Sequence, residues 1–428
     1  MVKRVAYLLM LLVLFSCKKE ENDSQGPSIS ISSPTENQSF TALQAISIQG
    51  VVTDDKNITS TNISLRNTNN IKVFNTISQS PNTANYQINE QLVLNDLHLP
   101  SGIYTLKISA TDGFNQTDKY IALLINEYPK IRNGLFVFSN SGSTNQVVKL
   151  SNTLVASSFS TSYGDFLGGV VNSFYQQVIT CPNYTGNLES QDAVSSSNNW
   201  GIVNASSGVP NFTGISNYGN EVFVSYYNGN IRSYFNYPFP NFNSLSFTNS
   251  YAKKVHAHDN NIIITEQPEI SGGKIRLVSY YKVSGAIKDN VELNENVVEM
   301  FSFSTNEVVV FTNTGANGTL KIYHLNTNAI STPFALGTGL ITSCTEISNG
   351  IYLIAQNGNI VKVNYNNFTY STYLSGVGAN LVKYDSITNE VVVSSGIILT
   401  SYDYSTKSVK STYTHSSTIL AFDFWYNK

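Results

Sequence analysis

Charge is scarce in this chain. Of 428 residues, 25 are Lys or Arg and 28 are Asp or Glu, a charged fraction of 12% with a net charge of -3. That balance leaves no basic surface for a phosphate backbone and excludes nucleic acid as a partner. Cysteine is scarcer still, at 3 residues, beside 5 His, 3 Met and 2 Trp. No cysteine spacing matches a zinc site. Cys181 and Cys344 fall in strand-like segments far apart in the chain, where they read as small buried hydrophobes rather than as a bridge. A Gly-x-Ser-x-Gly elbow and a phosphate-binding loop are absent, and no nucleophile, base and orienting acid can be read as a set. No cofactor or metal is expected. The polar content is carried by Asn, Ser and Thr, with 26 Tyr and 22 Phe. Such a mixture favours strands and turns, so an all-β chain with almost no helix is expected.

The amino terminus stands apart from the rest. Lys3-Arg4 is a short positive region, Val5 to Phe15 is apolar, and Leu14-Phe15-Ser16-Cys17 sets a small residue directly before a cysteine. The apolar run is too short to span a bilayer comfortably. It reads as a targeting segment, residues 1–16, to be left out of fold reasoning. The pattern resembles the lipobox of bacterial lipoproteins, and the resemblance implies that Cys17 is acylated and anchors the chain to a membrane. Residues 17–26 follow as a solvated tether containing Lys18-Lys19-Glu20-Glu21-Asn22-Asp23. That run resembles the export signal of Bacteroidota-type lipoproteins, which implies an outer-membrane protein exposed at the surface. The plainer reading of the same run is a flexible spacer.

Residues 27–127 hold about seven short strands. In Gly102 to Asp112, strict alternation puts Ile103 and Thr105 on one face and Tyr104, Leu106, Ile108 and Ala110 on the other, as a two-sheet sandwich requires. The segment Gly102-x-Tyr104-x-Leu106-x-x-x-Ala110-x-Asp112, with Asn115 after it, resembles the last hairpin of bacterial immunoglobulin-like domains. The resemblance implies a spacer without activity. Tyr104 either bonds back to a loop at the sandwich corner or packs in the core. Asp54, Asp55 and Asp112 either hold calcium, as in some relatives of that sandwich, or cap turns.

The remainder, residues 132–428, is organised around Val297 to Leu336. Four strand-like runs stand here in succession: Val297 to Phe303, Val308 to Phe311, Leu320 to Leu325, and Pro333 to Leu336. The pair Asn317-Gly318 is read as the tight turn of the middle hairpin. Aligned on that glycine, the unit recurs at Gly142, Gly186, Gly229, Gly273, Gly318, Gly358 and Gly396, roughly 38 to 45 residues apart. Seven such four-stranded units, none able to bury both its faces alone, make a seven-bladed β-propeller. The first unit lacks an inner strand, and Ile419 to Trp425 has the missing pattern, so that segment is expected to close the ring. Gly134-Leu135-Phe136-Val137-Phe138-Ser139-Asn140-Ser141-Gly142 resembles the start of YVTN-type propeller lipoproteins of Bacteroidota. This implies an envelope protein and brings no catalytic residues.

Superposing the inner strands puts Asn172, Ser216, His256, Ser302, Thr345, Asp385 and Asp423 at one repeated position. They form either a polar ring lining a ligand-binding channel or a set of side chains that satisfy inner-strand backbone groups. His256-Ala257-His258 would present two imidazoles on one face, with no third metal ligand identifiable. Tyr237, Phe239 and Phe242 crowd a Pro-bounded loop that could stack on sugar rings or anchor a protein, or else pack against a neighbour. The whole reads as a non-enzymatic surface lipoprotein presenting a propeller face to a glycan or protein. The alternative is a propeller lyase or hydrolase of polysaccharide using His256, Asp385 or Asp423.

Overall fold

The computed structural model describes residues 25–205, 208–259 and 261–428, so the Cys17 assignment and the run before it lie outside the described residues. The chain divides into two compact units, up to Pro129 and from Lys130 to Lys428. Among the described residues one short 3-10 turn, Tyr365–Asn367, is the only helical element.

The first unit is an immunoglobulin-like sandwich of a three-stranded and a five-stranded sheet. Strand Gly102–Thr111 shows how the sequence makes it: Tyr104, Leu106, Ile108 and Ala110 are buried, while Ile103, on the opposite face, is 54% exposed. The buried rows of the two sheets meet in one core with Ile46, Ile48, Leu65 and Leu123. Tyr104 does both things open to it, packing in that core and donating its hydroxyl to the carbonyl of Pro100 at 3.0 Å. Ile71 to Phe74, strand-like in sequence, is not a strand. The Asn67 side chain accepts from the N–H of Asn69 and Ile71, which bends the chain into a turn whose return leg makes a single bridge, Lys72 opposite Arg66.

The second unit contains seven four-stranded antiparallel sheets. Blades two to seven each take four consecutive strands. Blade one combines Arg132–Ser141, Thr144–Leu150 and Ala156–Tyr163 with Ile419–Tyr426 from the far end of the unit. That strand pairs antiparallel with the first, Phe422 opposite Val137 and Phe424 opposite Leu135. Blade one packs on blade seven through Leu135, Phe422, Val392 and Leu399, and on blade two through Phe138, Val171 and Val178. The ring is therefore closed, and the unit is a seven-bladed β-propeller. Second strands such as Val308-Val309-Val310-Phe311 are apolar on both faces because each blade is covered on both sides.

Hairpin glycines hold the middle turns where positive φ is needed. Asn357 and Gly358 stand at φ 51° and 71°, the tight turn of an Asn-Gly pair. Blade five departs from the expected turn at Asn317-Gly318. Thr314 pairs with Asn317, so the turn falls on Gly315-Ala316, with Gly315 at φ 59°. Gly318 lies in the strand instead, where a Cβ would come within 2.6 Å of the Ile341 side chain of blade six. Its glycine is kept by the approach of the next blade, not by the turn.

Candidate site in the propeller channel

The inner strands are Gly168–Asn172, Phe212–Tyr218, Lys254–Ala257, Asn296–Ser304, Ile341–Ser348 and Leu381–Asp385 of blades two to seven, with Ile419–Tyr426 of blade one. A cavity of about 450 Å³ lies among them. Four of the seven residues predicted to form a ring line it: Ser216, His256, Ser302 and Asp423. Asn172, Thr345 and Asp385 do not. Asn172 is fully buried and accepts from the Tyr175 N–H in its own turn. Thr345 accepts from the Tyr384 N–H of the next blade at 3.2 Å. Asp385 is buried in an ion pair with Arg132 at 3.1 Å and also accepts from the hydroxyls of Thr388 and Tyr426.

The polar positions stitch blades together. Ser216 donates to the Val255 carbonyl at 2.9 Å, Ser302 to that of His258 at 2.9 Å, and Asp423 accepts from the Val171 N–H at 2.9 Å. With the Ser302 proton committed to His258, its oxygen accepts Nε2–H of His256 at 3.0 Å. That bond holds His256 in the Nε2–H tautomer, and burial, with His258 adding to it, pushes its imidazole down to about 3. A neutral, engaged imidazole is poorly suited to proton transfer near neutrality.

Charged residues the ring did not include complete the wall. Lys254 faces Glu299 at 4.0 Å and Lys383 faces Asp423 at 2.6 Å, each pair joining adjacent blades. Glu346, on the blade between Glu299 and Lys383, has no cation partner among the described residues, and burial raises its carboxyl. A signal for the pairs was present in the sequence. Each sets opposite charges one blade apart, at 254 and 299 and at 383 and 423, on inner strands that are otherwise nearly free of charge.

The remaining candidates are placed as follows. Phe242 is only 3% exposed. It belongs to the outer strand Phe242–Leu245 and packs with Phe223 and Ile231, so it is not a contact residue of the loop. Tyr237 and Phe239 are 43% and 71% exposed. His258 shares its Nε2 with the Thr305 carbonyl at 3.0 Å, and among the described residues no group of three His, Cys, Asp or Glu is placed to hold a metal. Asp112 accepts from the N–H of Phe114 and Asn115, which commits it to a turn, whereas Asp54 lies in strand Ala45–Ile58 and accepts from the N–H of Asp55. Cys181 and Cys344 are free, in blades two and six, with their thiols pushed well up by burial.

With the geometry in hand, the chain can be set beside known proteins. The family model described as a bacterial Ig domain matches residues 27–108. No curated protein matches. Among solved structures, the chain is similar to a quinonprotein alcohol dehydrogenase-like protein of Bacteroides thetaiotaomicron, at 10% identity over 95% of this chain and 100% of that one, with a TM-score of 0.45. It is also similar to the Pan2 WD40 domain of Neurospora crassa, at 9% identity over 60% of this chain and 82% of that one, with a TM-score of 0.48. A DUF4784 family protein of Bacteroides caccae matches at 11% identity over 83% and 98%, with a TM-score of 0.39. The all-β class, with an immunoglobulin-like unit followed by a propeller, rests on the strand pairing itself.

Proposed function

We propose that this chain is a non-catalytic binding protein of the cell envelope, held to the outer membrane by acylated Cys17. In this reading the immunoglobulin-like unit is a spacer, and the propeller presents its channel to a glycan. The observation that carries it is the channel wall. Two charge pairs are already neutralised, hydroxyl and amide groups alternate with Val170, Ile215 and Met300, and Glu346 alone keeps a carboxyl without a counter-ion. Fixed donors and acceptors between apolar walls suit a polyhydroxylated ligand, which needs orientation more than net charge.

The test is a glycan array probed with the soluble chain lacking residues before Pro27. Binding is expected, and Glu346→Gln should weaken it about tenfold, the loss of one hydrogen bond to a charged acceptor. An array without signal, charged glycans included, would overturn the glycan reading. A Cys17→Ser chain is expected in the soluble fraction of cell lysates rather than with membranes.

A second reading, a polysaccharide lyase or hydrolase, is favoured by Glu346 itself. A carboxyl raised by burial, in one cavity with Glu299 and Asp423, resembles a general acid beside carboxylate partners. New reducing ends or unsaturated products from a polysaccharide panel, abolished by Glu346→Gln, would establish it over the binding role.

A further inference from the structure

A file of aromatic rings leaves the channel on the face made by the hairpins between first and second and between third and fourth strands. It starts at Phe174 and Tyr175 of blade two, 4.8 Å apart between ring centroids. It crosses to Phe235 of blade three at 6.0 Å and continues to Tyr237 at 6.4 Å and Phe239 at 6.3 Å. The inner end adjoins the channel. Phe174 lines a second cavity of about 310 Å³ together with Asn217 and Asp423, and both of those residues also line the channel cavity. Along the file the rings come progressively into solvent, from half-buried Phe174, Tyr175 and Phe235 to Phe239 at 71% exposure.

Three features define what fits. None of the four ring pairs is stacked face to face, their planes meeting at 47° to 72°, so ring faces remain for a ligand. The outer loop is fixed at its root. Asn241 donates its side chain to Glu221 at 3.2 Å and its N–H to the Ser233 carbonyl at 2.8 Å, and Pro238 and Pro240 flank Phe239. The rings are thus held in place before binding, which lowers the entropy cost of using them. The polar groups beside the outer rings, Asn220, Asn236 and Asn241, are uncharged, and Glu221 there is buried against Lys282 at 2.8 Å; charge enters only at the inner end, where Lys130, Lys428 and Asp423 line the cavity with Phe174. Rings flanked by amides and by an already paired Glu221 and Lys282 do not form the continuous cationic groove that a phosphate backbone takes. A single file of five rings is a strip, not the patch of about 800 Å² per partner that a stable protein interface takes.

We infer that this file is an extended subsite for a neutral, linear oligosaccharide whose one end enters the channel and whose body lies over Tyr175, Phe235, Tyr237 and Phe239. The inference rests on the channel reading and adds the direction, length and charge of the ligand.

It is tested by calorimetric titration of the full chain in detergent with neutral cello-, xylo-, manno- and laminari-oligosaccharides of two to six units. Affinity for at least one series should rise with length. Tyr237→Ala with Phe239→Ala should weaken the hexasaccharide about tenfold, the worth of one or two aromatic contacts, and leave the disaccharide unchanged. Both side chains are exposed, so an unaltered melting temperature is the folding control. Equal affinity for short and long chains, or a double variant that binds as the parent does, would overturn the file while leaving the channel reading standing if Glu346→Gln still weakens binding. Failure of every neutral series also overturns the file, whereas the channel reading falls only if charged glycans fail on the array as well.

Discussion

His256 shows what a propeller channel does to a titratable side chain. In an unfolded chain an imidazole takes up a proton near pH 6.5. In the channel its Nε2–H is spent on Ser302, and burial pushes the group down to about 3. Between those values the unfolded chain binds a proton that the native chain refuses. The stability His256 contributes is therefore complete above about pH 6.5 and is lost as the pH falls toward 3. His256→Gln keeps a donor for Ser302 and removes the proton uptake. Urea denaturation at pH 6.5 and pH 5 should show the parent losing up to about 2 kcal/mol more than the variant over that interval. His415, also lowered by burial, and Glu390, held below its ordinary range by Lys410 and Arg132 against its own burial, titrate in both proteins and cancel from the difference. Equal losses would mean that His256 is solvated enough to protonate normally.

At the scale of the element, the strand Ile419–Tyr426 has the widest reach. It supplies Phe422 and Phe424 to the core between blades one and seven and Trp425 to that between blades one and two. Its Trp425 Nε1–H donates to Gln176 of blade two at 2.7 Å and its Tyr426 hydroxyl to Asp385 of blade seven at 3.0 Å. Arg132 of the paired strand joins the same seam, bridging Asp385 and Glu390, while Ser139 meets His415 at 2.7 Å. Deleting residues 419–428 leaves the Arg132 strand with an open edge, takes the Tyr426 hydroxyl from buried Asp385 and Asp423 from Lys383, and removes the Trp425 bond to Gln176, a loss that spreads to both neighbours. The shortened chain should lose the cooperative unfolding transition of the propeller in calorimetry; an unchanged melting temperature would show that the seam is dispensable. This closure was legible in sequence because a missing inner strand and a surplus one share a pattern. Which inner-strand residues face the channel was not. Strand Asn296–Ser304 slips register between Val297 and Glu299 and again between Ser302 and Ser304, and Ile341–Ser348 slips between Glu346 and Ser348. Pairing is nonetheless continuous from Glu299 to Ser302 and from Thr345 to Glu346, and Glu299, Met300, Phe301 and Ser302 all line the cavity, so an inner strand offers residues of both its faces to the channel and one position per blade passes over Glu299 and Glu346.

For the molecule as a whole, the repeat was readable because its signal lies in second strands buried on both faces, whose central positions, such as Val222-Phe223-Val224 and Val391-Val392-Val393, are apolar without a break. The site was less readable because it is assembled from one or two residues per blade, and each blade's contribution depends on its own irregularities. The two units also differ in how their cores are built. The buried cluster of the first runs from Ala42 to Ile125, and the seven clusters of the second lie between Leu135 and Trp425. Since each unit encloses its own apolar residues, fragments 25–129 and 130–428 should each fold alone. Within the propeller the clusters straddle blades: Val309 and Phe311 of blade five share one with Tyr352 and Ile354 of blade six. No blade can melt without uncovering its neighbours, so the larger fragment should unfold in a single calorimetric transition whose van't Hoff and calorimetric enthalpies agree. Several transitions would mean that the blades are independent and that closure adds little. An unfolded 25–129 fragment would mean that the sandwich depends on the rest of the chain.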